Sequence, residues 1–80
     1  MVNKLAGHYK TSDLYEAAAL YATGEKMVGI EADHMPFKFV FENFEVCQSK
    51  SLEYINEEMA VVAKRFADAV KLLKNRINSV

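Results

Sequence analysis

The sequence predicts a small α+β domain in which helices pack on one face of an antiparallel sheet of two or three strands. An alanine-rich stretch between polar caps at residues 11–24 is typical of a helix, and two short segments within residues 26–43 alternate as strands do. From residue 51 onward the apolar positions recur at steps of three and four, which again indicates helix. Eighty residues suffice for one domain, so we expect a single unit over residues 1–80.

The first predicted elements are a short strand near Tyr9 and the helix that follows it. Residues 1–7 contain no strong pattern, and we expect them to be disordered. Thr11, Ser12 or Asp13 can begin the helix, because each offers a short side-chain oxygen that accepts from a free backbone N–H.

The helix has further signals in its first turn and at its end. Glu16 stands three residues after Asp13, which is the spacing of a capping box. Gly24 is predicted to end the helix, since glycine readily adopts the left-handed conformation found there. Three alanines at residues 17–19 allow another element to come close, so we expect this helix to pack tightly on the sheet.

The next predicted element is an antiparallel hairpin made of KMVGIEAD and PFKFVFEN. In its first strand Val28, Ile30 and Ala32 share one face. Gly29 indicates either a bulge or a place where a large group lies across the backbone. Pro36 has no N–H to donate, so we expect it at the first position of the second strand or on a sheet edge.

The segment FKFVFENF raises the question of whether its aromatic residues form a core or bind bases. It matches the F-x-F-V part of an RNA-recognition strand but lacks the preceding Lys-Gly, and Glu42 replaces the last aromatic residue. Alternation gives the strand an inward and an outward face, which hold Phe37, Phe39 and Phe41 and, opposite them, Lys38, Val40 and Glu42. We therefore interpret the phenylalanine face as core.

The C-terminal part of the chain is predicted to form one or two helices over the phenylalanine face. Its apolar positions share one helical phase: Leu52, Ile55, Met59, Val62, Phe66, Ala69, Val70, Leu73 and Ile77. This favours one long helix from about Ser51 to Asn78, while the β-branched pair in MAVV would also suit a short extended break.

Several segments together resemble a known family. YKTSDLYEAAAL, GIEAD, FKFVFEN, YIN and AKRFADAVKLLKNRI are similar to small bacterial and phage-associated domains that are classed only as a domain of unknown function. The TSDL helix start and the Leu73-Lys74 pair carry most of the likeness. The resemblance implies two C-terminal helices, at about residues 50–57 and 63–78, and it implies no catalytic residues.

Charge is distributed unevenly along the chain. The net charge is −1, yet residues 63–78 contain five basic residues and one acidic residue. The basic residues are Lys64, Arg65, Lys71, Lys74 and Arg76. Such a helix can be merely solvated or can bind phosphates, so nucleic-acid binding through these five residues is the alternative function that the sequence allows but does not favour.

The sequence offers little for enzymatic chemistry. His8 lies near the chain start, His34 lies in the hairpin loop beside Asp33, and no pair of them has the spacing of metal ligands. The lone Cys47 is typical of a small buried hydrophobic residue. We predict no catalytic, cofactor-binding or metal-binding residue, no enzyme activity and no small-molecule substrate.

Interaction with a protein is the function class that fits the pattern best. Val40, Tyr15 and a second face of the first helix would leave apolar surface, and a small sheet leaves an edge. We therefore expect a homodimer or another protein partner for an accessory module of bacterial or mobile-element origin. No segment has the length of a membrane span or signal peptide, and the single cysteine forms no internal disulfide, so we predict a cytoplasmic protein.

Overall fold

Three strands and three helices are arranged in the computed structural model, which describes residues 7–33 and 35–79. Their order along the chain is β1 (Tyr9–Thr11), α1 (Leu14–Ala22), β2 (Met27–Glu31), β3 (Lys38–Phe41), α2 (Phe44–Ile55) and α3 (Ala63–Ser79). The predicted α+β class, first strand and hairpin are confirmed. The predicted disordered start falls mostly on residues outside the described ranges, although the Gly7 carbonyl accepts from the Phe44 N–H at 2.7 Å.

Helix α1 begins and ends as its sequence predicts. The Asp13 carboxylate accepts from two N–H groups of the first turn, at 2.9 and 3.1 Å. At the other end Gly24 has φ +99°, and the Glu25 N–H donates to the Leu20 carbonyl at 3.0 Å. This is a Schellman ending, which uses the left-handed conformation that glycine adopts without steric cost.

The sheet has the order β1-β3-β2, with both neighbours antiparallel to the central β3. Its core face presents Phe39 and Phe41, which are 1% and 0% exposed. They pack with Leu20 of α1, Cys47 of α2 and Leu73 of α3. The phenylalanine strand is therefore one wall of the hydrophobic core, as predicted.

A bulge in β2 changes which residues face that core. Met27 is paired with Phe41 and Ile30 with Phe39, and the register shifts between Met27 and Gly29. The prediction that Val28 shares a face with Ile30 is wrong, because the extra residue turns Val28 outward and leaves it 45% exposed while Ile30 packs against the core. A Cβ built at Gly29 would meet no atom within 4 Å, so the glycine marks the bulge rather than a close approach.

The opposite face of the sheet is less open than the alternation suggests. Val40 lies there but is only 6% exposed, so the prediction that it adds apolar surface is wrong. It lies on the central strand, directly beside Lys10 of β1. The Lys10 ammonium and the Glu31 carboxylate of β2 form an ion pair of 2.7 Å that links the two outer strands. The hydrogen bond from Lys10 lowers the pKa of Glu31.

The start of the second hairpin strand lies later than predicted. Strand β3 begins at Lys38, so Pro36 belongs to the connecting loop rather than to the strand. Phe37 precedes the strand and is half-buried outside the core cluster, so the prediction that it faces inward with Phe39 and Phe41 is wrong.

The C-terminal region forms two helices, and the first begins earlier than predicted. Asn43 accepts from the Val46 N–H at 3.2 Å, so α2 starts at Phe44 rather than near residue 50. Helix α2 ends at Ile55, the next residue Asn56 is its C-cap, and Glu57 then has φ +62° while the Glu58 N–H donates to the Glu53 carbonyl at 2.7 Å. The long single helix is wrong because this left-handed residue turns the chain.

Helix α3 covers the core with the predicted stripe. Ala69 and Leu73 are buried, while Phe66, Val70 and Ile77 are half-buried against the same cluster. Its start at Ala63 agrees with the two-helix alternative. Leu52, Ile55 and Val62, which share the helical phase of this stripe in the sequence, are exposed instead.

Candidate functional site

A groove of about 600 Å³ opens between the C-terminal end of α1 and the outer side of α3. From α1 and its cap it is lined by Tyr21, Ala22, Thr23 and Gly24, and from α3 by Arg65, Asp68, Ala69 and Leu72. We call this set the α1–α3 groove. Its volume lies within the range of about 300 to 1,000 Å³ that is usual for ligand sites.

The groove exists because the residues at the end of α1 are small. Ala22 and Gly24 have almost no side chain to fill the space beside α3. Tyr21 is 40% exposed and stands at the rim. Leu72 points from α3 into the same space, so the groove has an apolar floor that solvent reaches.

Two opposite charges line the groove, those of Arg65 and Asp68. The Asp68 carboxylate lies 3.0 Å from the Lys64 ammonium one turn earlier, in an exposed ion pair. Among the described residues Arg65 forms no ion pair. A partner entering the groove therefore meets apolar atoms beside an unneutralised guanidinium.

The five basic residues named as the nucleic-acid alternative are all exposed on α3. They do not form one stripe. Helical geometry places Lys64, Lys71 and Lys74 along one side and Arg65 and Arg76 on a second side next to the groove. The helix thus separates them into a group of three and a pair.

The outer side of α2 is a second uncovered surface, and sequence reasoning missed it. Leu52 and Ile55 were expected to continue the core stripe, but they are 58% and 65% exposed. The reason is the early start of α2: Cys47 and Ser51 set its buried side, and Leu52 and Ile55 lie on another side. The N-cap spacing from Asn43 was the signal that could have revealed this.

A buried carboxylate at the N-terminal end of α1 was also missed. Glu16 is only 8% exposed and accepts from the Tyr9 hydroxyl at 2.6 Å, from Thr11 at 2.8 Å and from Ser51 at 2.5 Å. It therefore does not complete the predicted capping box, since its side chain turns inward and Thr11 receives the Asp13 N–H instead. Burial, followed by the hydrogen bond to Glu16, raises the pKa of the Tyr9 hydroxyl.

This Glu16 cluster joins β1, α1 and α2, and its chemistry is that of a structural polar network. Each hydroxyl donates to the carboxylate, which is how a buried charged group is stabilised. Its side chains do not line the α1–α3 groove. We therefore assign it to the architecture.

Lys50 secures the other end of α1. Its ammonium donates to the Thr23 carbonyl at 2.9 Å and lies 2.6 Å from the Glu25 carboxylate. Both side chains are mostly buried, with exposures of 25% and 15%. A cation at the C-terminus of a helix is favourable, and this one also joins α2 to α1.

Of the residues considered for enzymatic chemistry, those that the structure describes form no metal-ligand cluster. Cys47 is fully buried, as predicted, and burial raises the pKa of its thiol to about 11, with a smaller effect of Glu25. His8 is exposed beside β1, and His34 lies outside the described residues. Within residues 7–33 and 35–79, no three His, Cys, Asp or Glu side chains cluster as metal ligands do. The absence of a catalytic or metal site stays a prediction.

In the part of the chain that the structure describes, no helix is both long and apolar enough to span a bilayer. The cytoplasmic location stays a prediction.

The fold and the groove define a class: a small α+β domain with a three-stranded antiparallel sheet, covered on one face by helices. A family model described as "Domain of unknown function (DUF5659)" matches residues 6–79. The chain belongs to this family, which confirms the resemblance to a small domain of unknown function. Its bacterial or phage-associated origin stays a prediction. Neither the curated proteins nor the solved structures contain a significant match.

Proposed function

We propose that the protein is a non-enzymatic interaction module that binds a partner segment in the α1–α3 groove. The observation that carries this proposal is the combination, in one open groove, of an apolar floor with the unneutralised Arg65. Exposed apolar surface with a charged rim is typical of protein interaction sites. The partner segment should therefore present apolar side chains next to carboxylates.

The proposal can be tested by photocrosslinking in cells that make the protein naturally. A photoreactive phenylalanine analogue would replace Leu72 in the groove or, as a control, Lys74 on a different side of the same helix. We expect an adduct at position 72 that mass spectrometry maps to an apolar and acidic segment. Adducts of equal yield at both positions, or none at position 72, would contradict the proposal.

A charge variant adds a second criterion. Arg65 lies at the surface, so Arg65→Glu should leave the fold intact while repelling an acidic partner. The crosslink at position 72 should then fall at least about tenfold, because the variant loses an attractive charge and places a carboxylate opposite the carboxylates of the partner. The same change at Lys38, which is exposed on the sheet, is the matched control.

Nucleic-acid binding remains the second candidate, because all five basic residues of α3 are exposed. Binding of labelled DNA or RNA, measured by fluorescence anisotropy, should then weaken steeply with salt. Reversal of Lys64 and Lys71 to Glu should abolish it, whereas Lys38→Glu should not. The absence of binding at low salt would exclude this candidate.

A further inference from the structure

The outer side of α2 has the chemistry that the α1–α3 groove should bind. Leu52 and Ile55 are three residues apart and therefore neighbours on the helix surface, where both are more than half exposed. Three exposed carboxylates lie near them: Glu45, which shares the helical direction of Leu52, and Glu57 and Glu58, which directly follow the helix. We call these five residues the α2 face.

The charges of the two surfaces are complementary. Helix α3 carries five basic residues and one acidic residue, and Asp68 is already paired with Lys64. On α2 the one basic residue, Lys50, is turned to the end of α1, where it binds Glu25 and Thr23. The α2 face is thus acidic and apolar, while the groove is apolar with a basic rim.

Within one chain the α2 face does not fill the groove. Helix α2 rests on the core through Cys47 and Ser51, which leaves Leu52 and Ile55 toward solvent. The groove is lined only by residues of α1, its cap and α3. Any contact between the two surfaces must therefore form between chains.

The sheet edges are poorer sites for association. Strand β1 has three residues, and β2, at the other edge, contains a bulge at residues 27–29. Short and bulged edge strands are features that hinder pairing with another sheet. This favours a helical contact.

We propose that the groove of one copy of this chain accepts the α2 face of a second copy, with Leu52 and Ile55 on the apolar floor and the carboxylates near Arg65. This inference rests on the proposed function and names its partner. A helix that inserts neighbouring apolar side chains into a groove is a common recognition mode. Since two different surfaces meet, the contact is heterologous and can continue from copy to copy.

Sedimentation of the full chain tests this directly. We expect the average mass to rise above that of a monomer with increasing concentration and to fall again as salt screens the charges. Ile55→Lys should raise the concentration needed for association at least about tenfold, because it removes an apolar anchor and places a cation opposite Arg65. The matched control is Val62→Lys, since Val62 is 59% exposed but belongs to neither surface.

A mixing experiment tests whether the two surfaces bind each other. Ile55→Lys retains its groove, and Arg65→Glu retains its α2 face. Each variant alone should be monomeric, while an equimolar mixture should form one-to-one pairs and nothing larger. Pair formation also demonstrates that both variants are folded.

Three results would overturn the inference: a wild-type monomer at high micromolar concentration, an equal effect of Val62→Lys and Ile55→Lys, or no pairs in the mixture. Crosslinking at position 72 separates its failure from failure of the proposed function. If the chain is monomeric but crosslinks at position 72 to a different protein, the proposed function is supported and this inference is wrong. If the chain is monomeric and forms no adduct at position 72, both are wrong.

Discussion

The polar groups at the two ends of helix α1 have different surroundings. At the N-terminal end the Glu16 carboxylate is enclosed and accepts from three hydroxyls. At the C-terminal end Tyr21 and Gly24 border an open groove whose guanidinium, Arg65, has no ion-pair partner among the described residues. Both ends use polar atoms to hold elements together, since Lys50 binds the Thr23 carbonyl and Glu25 at the C-terminal end, but only the C-terminal end also borders an open groove that carries Arg65. We therefore expect substitutions in the Glu16 cluster to change the stability of the fold, and substitutions at the groove to change binding.

The largest expected effect comes from the sheet beneath the helix. Phe39 is 1% exposed in the core, so Phe39→Ala should lower the free energy of unfolding by about 3 to 5 kcal/mol through lost burial and a cavity. Denaturant unfolding would measure this loss. The exposed Phe44, replaced by Ala, is the control, and an equal loss in both variants would disprove the inward assignment.

The protein should also lose stability at alkaline pH because of the buried Cys47. Burial raises the pKa of Cys47 from its ordinary value of 9 to about 11, so the folded state favours the neutral thiol. This contribution is complete below pH 9 and is lost as the pH rises to about 11, by about 3 kcal/mol for a shift of this size. Cys47→Ala should remove that part of the slope when unfolding is followed from pH 8 to 11, and an unchanged slope would argue against the effect.

The Glu16 cluster should matter for folding and not for binding. Glu16→Gln keeps the shape but weakens charge-assisted hydrogen bonds, which should cost about 1 to 3 kcal/mol. Chemical denaturation would measure the cost, and sedimentation under native conditions would show unchanged association. If association fell while stability remained, the division between the two ends would be wrong.

A smaller effect is expected where α2 ends. Glu57 has φ +62°, a conformation that glycine adopts without a steric penalty. Glu57→Gly should raise the free energy of unfolding by about 0.5 to 1 kcal/mol. Glu58→Gly should lower it instead, because there the glycine only adds freedom to the unfolded chain, and equal effects would refute this explanation.

The smallest change in stability is expected at the open end. Arg65→Glu should alter the free energy of unfolding by less than about 0.5 kcal/mol, as exposed substitutions usually do. The same variant should lose association. A destabilisation comparable to that of Glu16→Gln would show that Arg65 belongs to the architecture.

The fold could be predicted where local signals and burial agree. Asp13 and Gly24 fix the ends of α1 through backbone chemistry that the residues themselves specify. Phe39, Phe41 and Leu73 lie in the core because alternation and helical period place them on apolar faces.

Prediction failed where a single backbone residue interrupted the alternation of a strand or the period of a helix. The bulge beside Gly29 moved Val28 outward, and the left-handed Glu57 interrupted a period that runs through the sequence unbroken. Neither residue type demands that conformation by itself. The candidate groove was missed for a related reason, since Ala22 and Leu72 meet only through the packing of α1 on α3.

The contact of Lys50 with Thr23 and Glu25 has a geometric consequence for assembly. It helps to hold α2 in its direction relative to the end of α1. That direction sets the angle between the α2 face and the α1–α3 groove of one copy. In a series of head-to-tail contacts, that angle sets the rotation from each copy to the next. Together with the Ser51–Glu16 hydrogen bond, Lys50 would then influence whether such an assembly closes into a ring or extends as a helix, and Lys50→Met should change its curvature.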